Sequence, residues 1–301
     1  MQRKALDLQA SGLMVLLCMI WGLQQVVMKW AAVDISTLMQ VALRSGISAL
    51  LVLPLLLWSK PTLASIKSSL PAGVLVGVLF ASEFLCVAQA LRFTSAAHTV
   101  VLLYTAPIFV ALVMHFKVHS ERLAGMQWLG IVCAFIGILV TFLGHQSQDA
   151  SSSSIGDLWA LAAGMLWAAT TLAVRLTNLA EAPATLTLFY QLLAGFVLLL
   201  PMTFMFGQAY LHWSWISISA LLFHSIVVSF LSYLAWFWLL KKYLASRLGV
   251  FSFLTPLFGL LFGVLWLGEH LELNFIIGTC LVMCGVILVS AHTWVARLFK
   301  V

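Results

Sequence analysis

Long apolar runs recur from one end of this chain of 301 residues to the other. Runs of about 18 or more apolar residues are typical of helices that cross a membrane. Charged residues make up only 8% of the sequence, whereas a soluble domain carries about 25%. One globular interior cannot bury so much apolar surface. We therefore expect an all-α integral membrane protein whose solvent is lipid.

Charged residues and Pro-, Gly- or Ser-rich breaks divide the sequence into ten predicted spans. They lie near 11–31, 36–58, 70–91, 95–115, 124–144, 156–177, 184–206, 213–240, 247–267 and 273–294. A Ser-rich linker at 146–155 separates a first repeat at 1–145 from a second at 156–301. Because five is odd, the second repeat must lie upside down in the membrane. The predicted fold is ten transmembrane helices arranged as two inverted five-helix repeats.

The net charge of +6 does not indicate a nucleic-acid partner, because the basic residues stand singly or in pairs between apolar runs. With the N-terminus inside, 12 of the 15 lie in internal segments or their flanks. These twelve are Arg3, Lys4, Lys60, Lys67, Lys117, Arg122, Arg175, Lys241, Lys242, Arg247, Arg297 and Lys300. Such a bias follows the positive-inside rule and predicts that both termini are cytoplasmic.

Two prolines occupy equivalent places in the predicted repeats: Pro107 in "YTAPIFVALV" and Pro256 in "FLTPLFGLLF". Proline has no N–H, so we expect the carbonyls of Leu103 and Ser252 to lose their helical partners. In hydrocarbon, bare carbonyls are tolerated only beside protein or a water-filled cavity. The prolines therefore predict two helix breaks at a central cavity, where they assist gating. The alternative is a packing kink satisfied by neighbouring threonine hydroxyls.

Polar residues share a helix face with a tryptophan in spans 1 and 6. Residues at i, i+3 and i+4 lie on one side of a helix. Span 1 follows this spacing with Trp21, Gln24 and Gln25. Span 6 follows it with Trp167, Thr170 and Thr171. Amides and hydroxyls beside a flat ring suit a solute pathway. The alternative is hydrogen bonding between helices, worth roughly 0.6 kcal/mol per pair.

Arg44 in span 2 and Glu83 in span 3 are the clearest charges within the predicted membrane region. Such residues are costly in lipid and are candidates for function. They either serve the solute or form a structural ion pair with each other. Lys29 and Arg175 lie toward span ends, where long side chains can reach the interface. We assign Lys29, Arg44 and Arg175 to a charge network.

Aromatic and hydroxyl side chains on spans 3, 4, 8 and 9 complete the predicted lining, and His98 is included because histidine can relay protons. The predicted substrate-binding set is Trp21, Gln24, Gln25, Glu83, Phe84, His98, Tyr104, Trp167, Thr170, Thr171, Tyr233, Trp236, Ser252 and Phe253. Other aromatic residues are expected to face lipid or form interfacial belts. Glu121 and Glu269 are predicted to be structural start signals for spans 5 and 10.

The sequence contains no HExxH, GxSxG or P-loop motif and no Cys/His set at metal-binding spacing. We therefore predict no catalytic residue, no metal, no cofactor and no enzymatic activity.

The segments "WGLQQVVMK", "SAAHTVVLLYTAPIFVAL" and "ASRLGVFSFLTPLFGLLFGVLWLGEHLELNFIIGTCLVMCGVIL", together with Arg44, resemble the EamA family of the drug/metabolite transporter superfamily. The resemblance implies two inverted EamA repeats and export of small metabolites across a bacterial inner membrane. The first repeat departs from the family pattern, because "HFKVHSERLAG" stands where the second repeat has "LGE".

The family includes exporters of aromatic and other amino acids. An aromatic lining with amides, hydroxyls, one acid and nearby bases suits a zwitterion that bears a flat ring. A multidrug or organic-cation exporter is the alternative, although Glu83 is outnumbered by Lys29 and Arg44. A membrane scaffold that transports nothing is a third class. The predicted partners are a small-molecule substrate and membrane lipid.

Overall fold

The structure, a computed structural model, describes residues 8–60, 62–117, 123–143, 154–242, 252 and 254–290. Nearly all of these residues are helical. The helices before residue 150 are α1 Leu8–Trp30, α2 Thr37–Trp58, α3 Leu63–Phe93, α4 Ala96–Leu103, α5 Ala106–Lys117 and α6 Gly125–Leu143. Those after it are α7 Ser154–Leu176, α8 Ala184–Met205, α9 Trp215–Leu222, a π-helix Phe223–Ser232, α10 Tyr233–Lys242, α11 Leu254–Leu267 and α12 Leu273–Ser290.

Serine residues mark where several helices begin. The hydroxyls of Ser36 and Ser95 accept hydrogen bonds from backbone N–H groups in the first turns of α2 and α4. Ser214 forms a reciprocal capping box with Ser217 at the start of α9. Each cap satisfies an N–H group that has no partner inside its own helix.

Within the described residues, seven helical segments are long and apolar enough to cross a membrane. They are Leu8–Val33, Thr37–Trp58, Leu63–Phe93, Ala96–Lys117, Ser154–Leu176, Ala184–Met205 and Trp215–Trp236. Three shorter apolar helices are Gly125–Val140, Leu254–Leu267 and Leu273–Leu288. The all-helical prediction is confirmed, and the ten-helix inverted repeat stays a prediction.

Two spans differ locally from the prediction. Helix α3 begins at Leu63, well before the predicted start at 70, because the hydroxyl of Thr62 caps it by accepting the N–H of Ser65 at 3.2 Å. The eighth predicted span is not a uniform α-helix, since α9 and α10 are joined by the π-helix. π-Helical turns are rare and occur often at functional sites.

The helices of the two sequence halves pack directly on each other. Helix α1 packs on α11, α2 on α8, α6 on α12, and α3 on both α7 and α8. Helices α4 and α5 pack on α7, as α1 packs on α11. These two contacts map onto each other if the chain is an inverted repeat.

Glycines allow α6 and α12 to touch along their backbones. A Cβ atom added at Gly137 would lie 2.7 Å from the carbonyl oxygen of Gly278, and one added at Gly285 would collide with the carbonyl oxygen of Gly130. Small residues at such contacts are typical of helix pairs in membranes.

Large apolar side chains cover the outside of the bundle. Trp58 ends α2 with 81% of its surface exposed, and Trp215 starts α9 with 82% exposed. Tryptophans at helix ends form belts at membrane interfaces. Trp21, Trp167 and Trp236, in contrast, are partly buried between helices.

Candidate functional site

Two aromatic pairs meet in the interior of the bundle. The indole Nε1 of Trp21 donates a hydrogen bond to the hydroxyl of Ser232 at 2.9 Å, and its ring lies edge-on to Trp236 with centroids 5.7 Å apart. The ring of Tyr104 lies edge-on to Trp167 at 5.0 Å. Each pair joins a residue of the first sequence half to one of the second.

Arg44 is the most unusual side chain in this interior, with 1% of its surface exposed. Its guanidinium lies over the ring of Phe84, 4.3 Å from the centroid. A cation over an aromatic face is attracted by the ring quadrupole. Among the described residues, none accepts a hydrogen bond from any of its three guanidinium nitrogens. A buried charge without a partner is costly to fold.

Glu83 lies on the neighbouring helix α3 and is 6% exposed. Arg44 interacts electrostatically with Glu83 and Tyr233, and Tyr104 interacts with the same two residues. The predicted structural ion pair between Arg44 and Glu83 is not formed, because no ion pair of 4.0 Å or less joins these two described side chains. The basic and the acidic side chain are near each other without a direct ion pair.

These residues form what we call the central cluster. It consists of Trp21, Arg44, Glu83, Phe84, Tyr104, Trp167, Ser232, Tyr233, Trp236 and Thr255. Seven of the predicted substrate-binding residues lie in it: Trp21, Glu83, Phe84, Tyr104, Trp167, Tyr233 and Trp236. The hydroxyl of Thr255, which lies beside Tyr104, completes it. The structure thus brings together residues from helices of both sequence halves.

The predicted break near Pro107 is present, but its carbonyls are covered. Helix α4 ends at Leu103 and α5 begins at Ala106, so Pro107 lies in a first turn, where proline costs no helical hydrogen bond. The hydroxyl of Thr105 donates to the carbonyl of Leu102 at 2.6 Å. A Cβ atom added at Gly164 would lie 3.0 Å from the Leu103 oxygen. The packing-kink alternative therefore describes this break better than an open cavity.

Pro256 also lies in the first turn of its helix, α11. The carbonyl of Ser252 has no helical partner at Pro256, as predicted, but it is not bare, because it accepts the N–H of Thr255 at 3.1 Å. Helix α1 approaches here: a Cβ atom added at Gly22 would lie 2.9 Å from the carbonyl oxygen of Thr255. Phe253, a predicted binding residue, lies outside the described residues.

The predicted polar faces of α1 and α7 differ in their availability. Gln24 and Gln25 are buried, and the side-chain oxygen of Gln25 has no hydrogen-bond partner among the described residues. On α7, the hydroxyls of Thr170 and Thr171 donate to carbonyls one turn earlier in their own helix, at 2.9 and 3.0 Å. These hydroxyl protons are therefore already used in hydrogen bonds to the helix backbone, as is common for threonine within helices.

A second polar group joins helix ends at one end of the bundle. We call Lys29, Thr94, His98, Asp157 and Glu269 the end cluster. The Lys29 ammonium donates to the carbonyl of Thr94 at 2.7 Å and lies 3.6 Å from Glu269. Buried Asp157 accepts the hydroxyl of Thr94 at 2.7 Å and contacts the His98 ring nitrogen at 3.0 Å. Among the described residues, no group of three or more His, Cys, Asp or Glu could hold a metal ion.

The end cluster changes the interpretation of three predicted residues. Glu269 is structural, as predicted, but the helix that it caps is α4, whose Ala96 and Ala97 N–H groups it accepts at 2.7 and 3.0 Å. His98 contacts Asp157 and stacks on Phe275 at 3.9 Å, so it does not join the central cluster. Lys29 is held in a charge network instead of reaching freely to the interface.

Two other predicted residues lie elsewhere. Arg175 is exposed in the last turn of α7. Glu121 lies outside the described residues.

The predicted substrate-binding set contains no residue of the π-helix, Phe223–Ser232. His224 is completely buried, and neither of its ring nitrogens has a hydrogen-bond partner among the described residues. It interacts electrostatically with Arg44. Ser225 and Ser229 carry buried hydroxyls that likewise lack partners there. The signal was present, because Ser225, Ser229 and Ser232 follow an i, i+4, i+7 spacing.

The model of the EamA-like transporter family matches residues 9–143 and 154–291. The chain belongs to the EamA-like transporter family. With its apolar helices, this membership makes it a multi-pass membrane protein and points to transport rather than catalysis.

Curated relatives agree with this membership. The chain is similar to the "Uncharacterized transporter YoaV" of Bacillus subtilis, at 27% identity over 89% of this chain and 92% of that one. It is also similar to a "Probable amino-acid metabolite efflux pump" of Salmonella typhimurium, at 27% identity over 91% of this chain and 92% of the relative. A protein of the same name from Escherichia coli is 24% identical over 91% of this chain and 92% of the relative.

A crystal structure shares the fold of this EamA-like protein. It superposes with a TM-score of 0.68 at 17% identity and covers 97% of this chain and 98% of the other. At this identity the likeness concerns the fold alone.

Proposed function

We propose that this protein exports small metabolites, namely amino acids with aromatic or large apolar side chains, by alternating access around the central cluster. The observation that carries the proposal is the aromatic set Trp21, Tyr104, Trp167 and Trp236 in the same interior as Arg44 and Glu83. Binding sites for small molecules are mostly apolar with a few placed polar groups. This cluster has that composition.

The charges favour a zwitterion over an uncharged solute. Arg44 and Glu83 are a basic and an acidic side chain that are both buried and not hydrogen-bonded to each other. A free amino acid carries a carboxylate and an ammonium on neighbouring atoms, so it can neutralise both. The aromatic residues offer faces and edges for a ring or a large apolar side chain. The names of the Salmonella and Escherichia coli relatives support the same substrate class.

Alternating access requires that the site opens to one side of the membrane at a time. The family's transporter function and the two matched ranges support two inverted repeats that rock around a shared site. The end cluster joins both sequence halves and would close one end of the bundle. By the charge bias, this is the outer end of a bacterial inner-membrane protein with cytoplasmic termini.

Counterflow in proteoliposomes tests the proposal directly. Vesicles are preloaded with one unlabelled amino acid at a time and receive labelled phenylalanine outside. We expect accumulation of label only when aromatic or large apolar amino acids are inside. Accumulation of label that does not depend on the internal amino acid counts against the amino-acid assignment, and so does the absence of any accumulation.

A disulfide tests the rocking motion. A Cβ atom added at Gly263 on α11 would lie 3.7 Å from that of Ala97 on α4, within the range of about 3.5–4.5 Å that disulfides need. In a background without the five native cysteines, Ala97→Cys with Gly263→Cys should lose counterflow on oxidation and regain it on reduction. The reduced state of the same protein controls for the substitutions. Undiminished counterflow in the oxidised protein contradicts rocking.

An organic-cation exporter is the second candidate, because Glu83 is buried and accepts no hydrogen bond from any residue that the structure describes. Charge reversal by Glu83→Lys separates the classes. A cation exporter should lose cation transport and its thermal stabilisation by organic cations. A scaffold has no transport to lose, so the change should affect only its thermal stability. If the protein is an amino-acid exporter, the variant should lose amino-acid counterflow. In that case organic cations should not stabilise the wild type either.

A further inference from the structure

We propose that the guanidinium of Arg44, beside the π-helix, binds the carboxylate of the transported substrate and selects for carboxylate-bearing solutes. This inference rests on the proposed function and deepens it, since it assigns one residue to one chemical group.

A buried arginine normally satisfies its donors with carboxylates or carbonyls. Arg44 is 1% exposed, yet its Nε and both terminal nitrogens find no acceptor in the described part of the chain. Evolved proteins retain such a costly group within a membrane mainly for function. The planar fork of a guanidinium matches a carboxylate, with which it forms two parallel hydrogen bonds.

The surroundings hold the guanidinium in place without using its donors. The ring of Phe84 lies 4.3 Å from the guanidinium carbon and supports the positive charge through its quadrupole. This contact uses none of the guanidinium nitrogens, which all lack acceptors among the described residues. Arg44 is therefore oriented but not neutralised.

The π-helix adds further unpaired polar groups to this side of α2. Ser48, one turn after Arg44, donates its hydroxyl to the carbonyl of Ser225 at 3.0 Å, which fixes the π-helix against α2. His224 interacts electrostatically with Arg44, and its ring nitrogens are without partners among the described residues. A neutral imidazole nitrogen can donate a hydrogen bond to a carboxylate.

Glu83 limits what this site accepts. A carboxylate on the substrate is attracted by Arg44 but repelled by Glu83, so the favourable ligand carries a positive group beside its carboxylate. An amine without a carboxylate leaves Arg44 unpaired, so it gains nothing from the hydrogen bonds that a carboxylate forms there. We therefore expect discrimination against amines by about tenfold or more.

The test compares four probes that share a phenyl ring: L-phenylalanine, 3-phenylpropionate, phenylalaninamide and phenethylamine. Binding to the purified full chain is measured by isothermal titration and by thermal stabilisation. We expect L-phenylalanine to bind most tightly and 3-phenylpropionate to bind measurably. The two probes without a carboxylate should bind at least about tenfold more weakly than L-phenylalanine. Equal binding of phenethylamine and L-phenylalanine by the wild type overturns the inference without any mutation.

Variants then assign the effect to Arg44. Arg44→Lys keeps the positive charge but loses the two parallel hydrogen bonds of the guanidinium. It should therefore bind the probes in the same order of affinity, but more weakly. Arg44→Gln should lose the preference for the carboxylate. Arg44→Met should raise the melting temperature of the ligand-free protein, because it removes a buried charge without a partner. A structural arginine would instead lower it, and that result contradicts the inference.

The design separates this inference from the proposed function. If phenylalanine counterflow occurs in the wild type and persists unchanged in Arg44→Gln, the exporter stands and the role of Arg44 falls. If 3-phenylpropionate binds through Arg44 but no amino acid is exchanged, Arg44 is a carboxylate receptor in a protein of different function.

Discussion

The carboxylate of Glu269 lies at the N-terminus of α4, where it accepts the N–H groups of Ala96 and Ala97, and its other contact is the Lys29 ammonium 3.6 Å away. One residue thus joins α1, α4 and the turn after α11. Negative charge at a helix N-terminus is favourable because the first N–H groups have no helical acceptors.

Glu269→Ala should lower the free energy of unfolding by about 1–2 kcal/mol, as for the loss of a helix cap. Glu269→Gln should cost less, because an amide oxygen still accepts one N–H. Thermal unfolding in detergent measures both. Glu181→Ala, at an exposed carboxylate, is the matched control. Equal melting temperatures for Glu269→Ala and this control contradict the prediction.

Gly263→Ala should destabilise the protein through Glu269. The added Cβ atom would lie 2.5 Å from Oε2 of Glu269, so the carboxylate must leave its position on α4. We expect a loss similar to that of Glu269→Ala, and little further loss in the double variant, since both changes remove one interaction. Gly12→Ala is the control, because a Cβ atom there would meet nothing within 4 Å. Additive losses in the double variant would count against this coupling.

Trp21→Phe should slow counterflow of aromatic amino acids by about three- to tenfold, because it removes the hydrogen bond to Ser232, worth about 1 kcal/mol, while keeping an aromatic ring. Ser232→Ala should have a similar effect, and the double variant should be little worse than either. Trp58→Phe, at an exposed tryptophan on the end of α2, should leave the rate unchanged. If both tryptophan variants transport alike, the interior pair does not serve the substrate.

Asp157→Asn should lower the melting temperature without changing the order of transported amino acids. Asp157 is fully buried and joins Thr94 to His98 across two helices. Weakening these contacts should cost roughly 1–3 kcal/mol. The measurement is a melting curve together with the counterflow panel.

His98→Asn tests the same network from its other side. It should resemble Asp157→Asn in both measurements. A changed substrate order in His98→Asn alone would return His98 to the substrate-binding set in which the sequence analysis placed it.

Local patterns carried much of the sequence prediction. The apolar runs predicted membrane helices, because lipid requires an apolar surface over the whole length of a helix. The spacing of Trp21, Gln24 and Gln25 predicted their shared face, and Gln24 and Gln25 are indeed buried. The sequence analysis recognised the motif "LGE", but only the structure explains its glycine. Gly268 has a φ of 65°, which lets the chain turn back after α11.

The membrane class, the helical content and the residues most costly to bury could be read from the sequence, because each depends on composition and spacing within one helix. The partners of these residues became visible only in the folded chain. The tertiary structure placed Glu269 on α4 rather than on its own helix, and it set Arg44 near His224 with no acceptor among the described residues. This difference arises because hydrogen bonds and charge interactions act over a few ångströms of space. The residues that meet there are separated by long stretches of chain.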